Sequence, residues 1–244
     1  MGAMIPIVPE RPLLKVEAFH CTIVKKVNRF VVEASLGNEK LLVHNTNTGR
    51  LEDLVWEGNE AYCAEKAGGK LKHKLVAAKT PFGFAVTDTK LQEKALERAF
   101  ELGYLSWARG CSVKRAPRRG SSVFDFELDC GEKIVVETKS ADLASWRGFG
   151  MWPDCPTDRG IRHLKEISSL PGRKVVLFVV GFPNAKGFVP YCKGDPRACE
   201  ELARTSAELK AVGLYYDPPY VKLYAELPVL LLEGREEPLP KVIL

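Results

Sequence analysis

The sequence contains no C-x-x-C pair. Its seven cysteines, at 21, 63, 111, 130, 155, 192 and 199, offer no zinc-knuckle spacing, and an odd count fits poorly with a secreted disulfide framework. Reduced thiols packed in the interior are therefore the expected state, with a Cys192–Cys199 bridge expected only inside a hyperthermophile's cell, where intracellular disulfides occur. Long apolar runs are also missing. The longest, at 174–180 and 227–232, are far shorter than the roughly 20 residues of a membrane span, and they read as buried strands. No basic segment followed by an apolar stretch opens the chain, where Pro6, Pro9 and Pro12 come early, so a cytoplasmic protein without membrane contact is expected. Internal repeats and low-complexity segments are absent as well, which excludes solenoids and tails.

What is present is the composition of a folded globular chain. Of its 244 residues 45% are hydrophobic and 27% charged, and the length allows one large domain or two small ones. A net charge of +5 permits a polyanionic partner without demanding one. The surplus is clustered: Arg109, Lys114, Arg115, Arg118 and Arg119 follow one another with no acid between, as do Lys66, Lys70, Lys72, His73, Lys74 and Lys79. Such runs are either solvated loops or the footprint of a nucleic acid.

From residue 14 to about 85, short β-branched and aromatic runs alternate with Gly37-Asn38, Gly58-Asn59 and Gly68-Gly69 turns, a pattern that predicts a small barrel. Residues 29–34 and 40–44, flanking Gly37-Asn38, read as a hairpin. At Asp88 the period changes to helical, with Leu91, Ala95, Leu96, Ala99 and Phe100 on one face and Glu93, Glu97 and Glu101 on another. Asp88 or Thr89 is the expected cap, and Gly103 the expected stop. A basic loop, a hairpin over 122–139, a helix over 157–170, a buried strand over 174–180, a helix over 196–211 and a strand pair near 220–232 complete an α/β second domain. The expected division is 1–85 and 86–244.

The hairpin carries the chemistry. Alternation sets Phe124, Phe126 and Leu128 on one face and Asp125, Glu127 and Asp129 on the other, while Glu137 and Lys139 share a face opposite Ile134 and Val136. A three-residue turn at 130–132 brings Asp125 directly opposite Glu137, with β-carbons roughly 5 Å apart. A two-residue turn would put Glu137 on the wrong face. Two carboxylates so close repel unless a cation lies between them, and hard oxygen ligands suit Mg²⁺ or Mn²⁺. Such an ion polarises a phosphate and acidifies a bound water, and Lys139 is placed to stabilise the growing charge. This is the D-x(n)-[DE]-x-K signature of restriction-endonuclease-like folds; a wet, charged sheet face is its bland alternative. Glu93 or Glu97 on the preceding helix is the candidate third carboxylate, against a plain solvated face.

Three ordered motifs resemble the sugar fermentation stimulation protein family along nearly the whole chain. They are His44-Asn45-Thr46-Asn47-Thr48-Gly49-Arg50-Leu51; Phe124-Asp125-Phe126 with Val136-Glu137-Thr138-Lys139-Ser140; and Trp152-Pro153-Asp154 with Thr157-Asp158-Arg159-Gly160 and His163-Leu164. The resemblance implies an N-terminal OB-like barrel, a C-terminal PD-(D/E)xK α/β domain of the restriction-endonuclease-like type, and DNA binding linked to control of sugar utilisation. Trp152 and Cys155-Pro156 depart from the family pattern without touching the ligands, and the closest register sets Arg98, beside Glu97, where the family's helix acid stands.

The third motif also has its own physical reading. Asp154 or Thr157 can cap a helix whose polar side carries Arg159, Arg162, His163 and Glu166, while Ile161, Leu164 and Ile167 face inward. Arg159 and His163 are thus expected on a nucleic-acid backbone, with Arg115, Arg118 and Arg119 from the basic loop and Arg29, Phe30, His44 and Arg50 from the barrel. Thr48 and Gly49 read as a structural turn. The expected function is DNA binding with a Mg²⁺-dependent nuclease site of Asp125, Glu137 and Lys139. A regulator without turnover, or a barrel for carbohydrate or RNA, is the alternative. Cleavage of both strands would call for a homodimer.

Overall fold

The computed structural model describes residues 4–120, 122–231 and 237–238. Strands β1 (Ile5–Lys15), β2 (Phe19–Asn28), β3 (Val31–Leu36), β4 (Glu39–His44), β5 (Glu60–Glu65), β6 (His73–Thr80) and β7 (Gly83–Val86) precede helix α1 (Thr89–Glu101). Next come β8 (Ser112–Arg115), β9 (Arg118–Arg119), β10 (Ser122–Val123), β11 (Phe126–Asp129), β12 (Lys133–Ser140), β13 (Leu143–Ala144) and β14 (Phe149–Trp152). The chain continues through α2 (Asp158–Ser169), β15 (Arg173–Val180), β16 (Gly187–Pro190), α3 (Pro196–Arg204), β17 (Glu208–Asp217) and β18 (Tyr220–Leu227).

The early alternation builds a closed five-stranded barrel. Its order is β4-β3-β2-β5-β6, and a parallel pairing of β4 with β6 shuts it, so that these strands leave no free edge. Inward positions carry Cys21, Ile23, Val32, Ala34, Val43, Ala61, Cys63 and Leu75, all buried. The β3–β4 hairpin turns at Gly37-Asn38, where Gly37 at φ 58 adopts the left-handed backbone that a two-residue turn requires.

The barrel is joined to a larger mixed sheet. Phe84 of β7 pairs with Tyr216 of β17, and β1 returns to lie on β18. Parallel strands β12, β15 and β17 form the centre, with β11 antiparallel on β12 and β8 outside it. Both faces are covered, which explains the unbroken apolar run of β15. Val175, Leu177 and Val179 pack with Leu96 and Phe100 of α1, while Val176, Phe178 and Val180 share a core with Leu164 and Ile167 of α2 and Leu202 of α3. Each such side chain contributes about 1.5–3 kcal/mol when fully buried. Among the described residues no helix is long and apolar enough to cross a membrane.

Three expectations are corrected. The helix expected over 196–211 stops at Arg204, and the residues from Glu208 become a central strand. There Val212, Leu214 and Tyr216 pack on the α1 side of the sheet, so tertiary burial overrides the local helical pattern. The strand pair expected near 220–232 is β17 with β18, which ends at Leu227; residue 232 lies outside the described residues. The cysteines, expected reduced, form three bridges, Cys21–Cys63, Cys111–Cys130 and Cys192–Cys199, leaving Cys155 free. Sequence spacing cannot show that partners distant along the chain lie side by side on paired strands, as Cys21 and Cys63 do on β2 and β5.

Candidate active site

The hairpin of β11 and β12 turns over residues 130–132, and its register pairs Phe126 with Val136 and Leu128 with Ile134. The three-residue turn is the longer one expected, but the pairing ends at Phe126, one residue short of Asp125. The first strand does not run straight, however. Val123 and Ser122 pair with Arg118 and Arg119 in a separate two-stranded ribbon, and the Phe124 N–H donates to the Pro117 carbonyl at 3.1 Å. The chain breaks step at Phe124 and Asp125. In consequence Phe124, expected beside Phe126, turns to the opposite core and meets the His163 ring edge-on at 6.2 Å.

Asp125 is half-buried, and its Oδ2 accepts two hydrogen bonds from Thr138, from N–H at 2.7 Å and from Oγ1 at 2.6 Å. Burial and the neighbouring Glu137 charge push its carboxyl up, against the pull of Thr138 and Lys139. Glu137 is only 3% exposed. Burial pushes it up too, but Lys139 and His163 outweigh that and hold it below the ordinary glutamate value. Its Oε1 accepts from the Lys139 ammonium and lies 2.5 Å from Nδ1 of His163, while Oε2 is buried without a hydrogen-bond partner.

His163 corrects the helical wheel drawn for 157–170. Expected on the polar side and on nucleic acid, it is 6% exposed and points inward with Gly160, Leu164 and Ile167, because Glu137 offers the buried imidazole a partner. Thr157 caps α2 by accepting the Gly160 N–H at 3.1 Å; Asp154 does not cap it and instead accepts the Leu51 N–H at 3.1 Å. Arg159 stays exposed at the start of the helix.

The basic loop is less free than its sequence suggests. Arg115 pairs with Glu93 at 2.7 Å and Glu97 at 3.5 Å, and Arg119 pairs with the buried Glu127. Arg118 is exposed. The two candidate helix acids part company here: Glu93 lines the same cleft of about 250 Å³ as Asp125, Glu137 and Lys139, whereas Glu97 does not. Glu93 is also tied to Lys90 at 2.8 Å, and among the described residues no three acidic, histidine or cysteine side chains form a ready cage for an ion.

A network that sequence reasoning missed joins the barrel to this cleft. The Thr46 hydroxyl donates to Asp88, the α1 cap, at 3.0 Å, and Asn47 donates to the buried Asp142 at 3.0 Å. Asp142 also accepts from Ser140 at 2.7 Å and Gln92 at 3.1 Å. Burial pushes both Asp142 and nearby Asp53 up to about 7. Gly49 approaches Asp154 so closely that a β-carbon would stand 2.4 Å from its Oδ2. Lys26 donates to the Gly49 and Arg50 carbonyls at 2.6 and 2.7 Å and fixes the turn. The only signal of this in the sequence was the spacing of the motif itself, which reads equally as a turn. Arg29, Phe30 and Arg50 are exposed, Arg29 4.6 Å over the Phe30 ring, but Arg50 lines a different concavity from the other two, and His44 is half-buried in β4.

Comparison with known proteins divides the chain as its fold does. Residues 24–87 match the model of the SfsA N-terminal OB domain, and residues 89–217 that of the sugar fermentation stimulation protein RE domain. A sugar fermentation stimulation protein homolog of Pyrococcus furiosus is 40% identical over 209 residues, covering 82% of this chain and 90% of the relative. One from Archaeoglobus fulgidus is 36% identical over 202 residues, covering 82% and 89%. The solved structure of Pyrococcus furiosus SfsA in complex with Ca²⁺ superposes with a TM-score of 0.85 at 36% identity, over 91% of this chain and 100% of that one. With both halves matched in order and relatives aligned over most of their length, the chain belongs to the sugar fermentation stimulation protein family.

Proposed function

We propose that this protein is a cytoplasmic DNA-binding phosphodiesterase that uses Mg²⁺ or Mn²⁺. The observation that carries the reading is that Asp125 and Glu137 line one cleft with Lys139, with Oε2 of Glu137 buried and lacking a hydrogen-bond partner. A buried carboxylate oxygen without a donor is costly, and a cation is the partner it lacks. Two carboxylates with room for water fit a hard divalent ion, and the relative from Pyrococcus furiosus was solved with Ca²⁺. Asp125 and Glu137 would hold the ion, which supplies Lewis acidity toward a phosphate and an acidified water.

The chain's own groups do the rest. Thr138 holds Asp125 through two hydrogen bonds, and His163 orients Glu137 from the helix behind it. Lys139, on the same face, meets the charge that grows on the phosphate oxygens. Exposed Arg29 and Arg159 contact the DNA backbone.

A second reading, a DNA-binding regulator of sugar metabolism without turnover, is favoured by a different observation. Lys139 and His163 already occupy Oε1 of Glu137, as a purely structural polar network would. Labelled single- and double-stranded DNA incubated with Mg²⁺, Mn²⁺ or EDTA separates the two. Metal-dependent cutting that is lost in Asp125→Ala and in Glu137→Ala is expected; metal-independent binding with no cutting, the same in wild type and variants, would leave the regulator.

A further inference from the structure

Two concavities adjoin near the carboxylate pair, sharing Thr48, Ser140 and Arg159. The smaller holds Asp125, Glu137 and Lys139; the larger, about 490 Å³, reaches Arg29 and Phe30 at the turn between β2 and β3. Thr48, Ser140, Trp152, Thr157 and Arg159 line both, so the two form one channel between the barrel and the larger sheet. We infer that this channel is a track for single-stranded DNA, in which a phosphodiester enters at Asp125 and Glu137 while a base further along the strand stacks on Phe30. This inference rests on the phosphodiesterase reading and names its substrate.

Charge is the first argument. Apart from Asp125 and Glu137, the acids along the channel are held in protein contacts: Asp142 by Ser140, Asn47 and Gln92, Asp154 by the Leu51 N–H, Glu93 by Lys90 and Arg115, and Asp158 by Arg197 at 2.9 Å. Neither the Arg29 nor the Arg159 guanidinium forms an ion pair among the described residues. Two cations not committed to a protein carboxylate, Arg29 and Arg159, therefore stand along the channel and can meet the phosphates of a strand.

The second argument is the aromatic ring. Phe30 is 43% exposed, with the Arg29 guanidinium already 4.6 Å over it. An exposed ring beside a cation accepts the face of any unpaired base, whereas bases inside a duplex present no face to it. Shape is the third. Glu137 lies deep, and the barrel's Thr48, Gln92 and Glu93 of α1, and Arg159 of α2 stand around the cleft. A flexible single strand can lower its backbone between such walls; a stiff duplex cannot bend into them without a deformation cost.

The test is binding of a labelled single strand, the matching duplex and the matching RNA strand, in EDTA so that nothing is cut, with wild type, Phe30→Ala, Phe30→Trp and Arg159→Ala. The single DNA strand should bind at least about tenfold more tightly than the duplex and no more weakly than RNA. Phe30→Ala should weaken it roughly 5- to 100-fold, the loss of one stacked base, while Phe30→Trp restores it. Arg159→Ala should lower the salt dependence by nearly one phosphate. Because Phe30 is exposed, circular dichroism melts should show both variants folded. Equal or tighter duplex binding, preference for RNA, or no effect of Phe30→Ala overturns the track. If this pattern holds but Mg²⁺ never yields cutting, the phosphodiesterase reading fails while the track stands; if duplex is cut and preferred, the track fails alone.

Discussion

Nδ1 of His163, on helix α2, lies 2.5 Å from Oε1 of Glu137, on strand β12, and both side chains are buried. The imidazole and Lys139 converge on one oxygen and leave the other buried without a hydrogen-bond partner. His163 therefore acts on the proposed chemistry by positioning Glu137. Substituting His163→Ala should reduce metal affinity and metal-dependent cleavage about 10- to 100-fold, the usual cost of losing a group that orients a ligand. His163→Asn, which can still donate, should recover part of it. Calorimetric titration with Mn²⁺ alongside initial cleavage rates gives the answer; unchanged metal affinity in His163→Ala would remove the positioning role.

Asp53 and Asp142 are raised from an ordinary 3.8 to about 7. Between those values the folded protein binds more protons than the unfolded chain, so these groups make stability fall as pH rises through that window, with the loss complete above about 7. Glu137 is shifted the other way, and its contribution is lost as pH falls below its ordinary 4.5. Thermal melts should thus peak on the acid side of neutrality. In the Asp53→Asn, Asp142→Asn double variant the decline from pH 5 to pH 8 should flatten; a slope equal to wild type would show that the aspartates do not titrate together there.

Gly49 has no room for a methyl group, because Asp154 Oδ2 occupies its place. Gly49→Ala should displace Asp154 from the Leu51 N–H and destabilise the protein by about 1–3 kcal/mol. If that clash is the cause, Asp154→Ala in the same chain should cost less than the two single changes added together. Urea melts of the four proteins measure the coupling, and strict additivity would place the cost elsewhere.

The bridges close loops of unequal length, with sequence separations of 42, 19 and 7. On the chain-entropy account they contribute at most about 4, 3 and 2 kcal/mol in that order. Reductant should lower the melting temperature, and Cys21→Ala with Cys63→Ala should lower it most. A melting temperature indifferent to reductant would mean that the thiols are reduced in solution.

Local chemistry in the sequence determined a good deal here. Asp88 before Thr89 caps a helix wherever it lies, Gly37-Asn38 turns a hairpin, and a three-residue turn fixes the β11–β12 register that pairs Phe126 with Val136. These are short-range effects of hydrogen bonding, backbone sterics and a period of two. The family motifs likewise named the two halves of the fold, because they are local patterns held at characteristic intervals.

Only the tertiary structure decided what depends on groups distant in sequence. Residues 208–211 lie within a helical pattern but become strand, because two layers need their faces buried. His163 turned from the solvent side of α2 to the core because Glu137, 26 residues away, offered it a charged partner. Arg115 and Arg119 left the basic loop for Glu93 and Glu127 for the same electrostatic reason. Asn47, Gly49, Asp142 and Asp154 became one junction between barrel and sheet. Periodicity records which side of an element a residue occupies; what waits on that side is set by the packing of the whole chain.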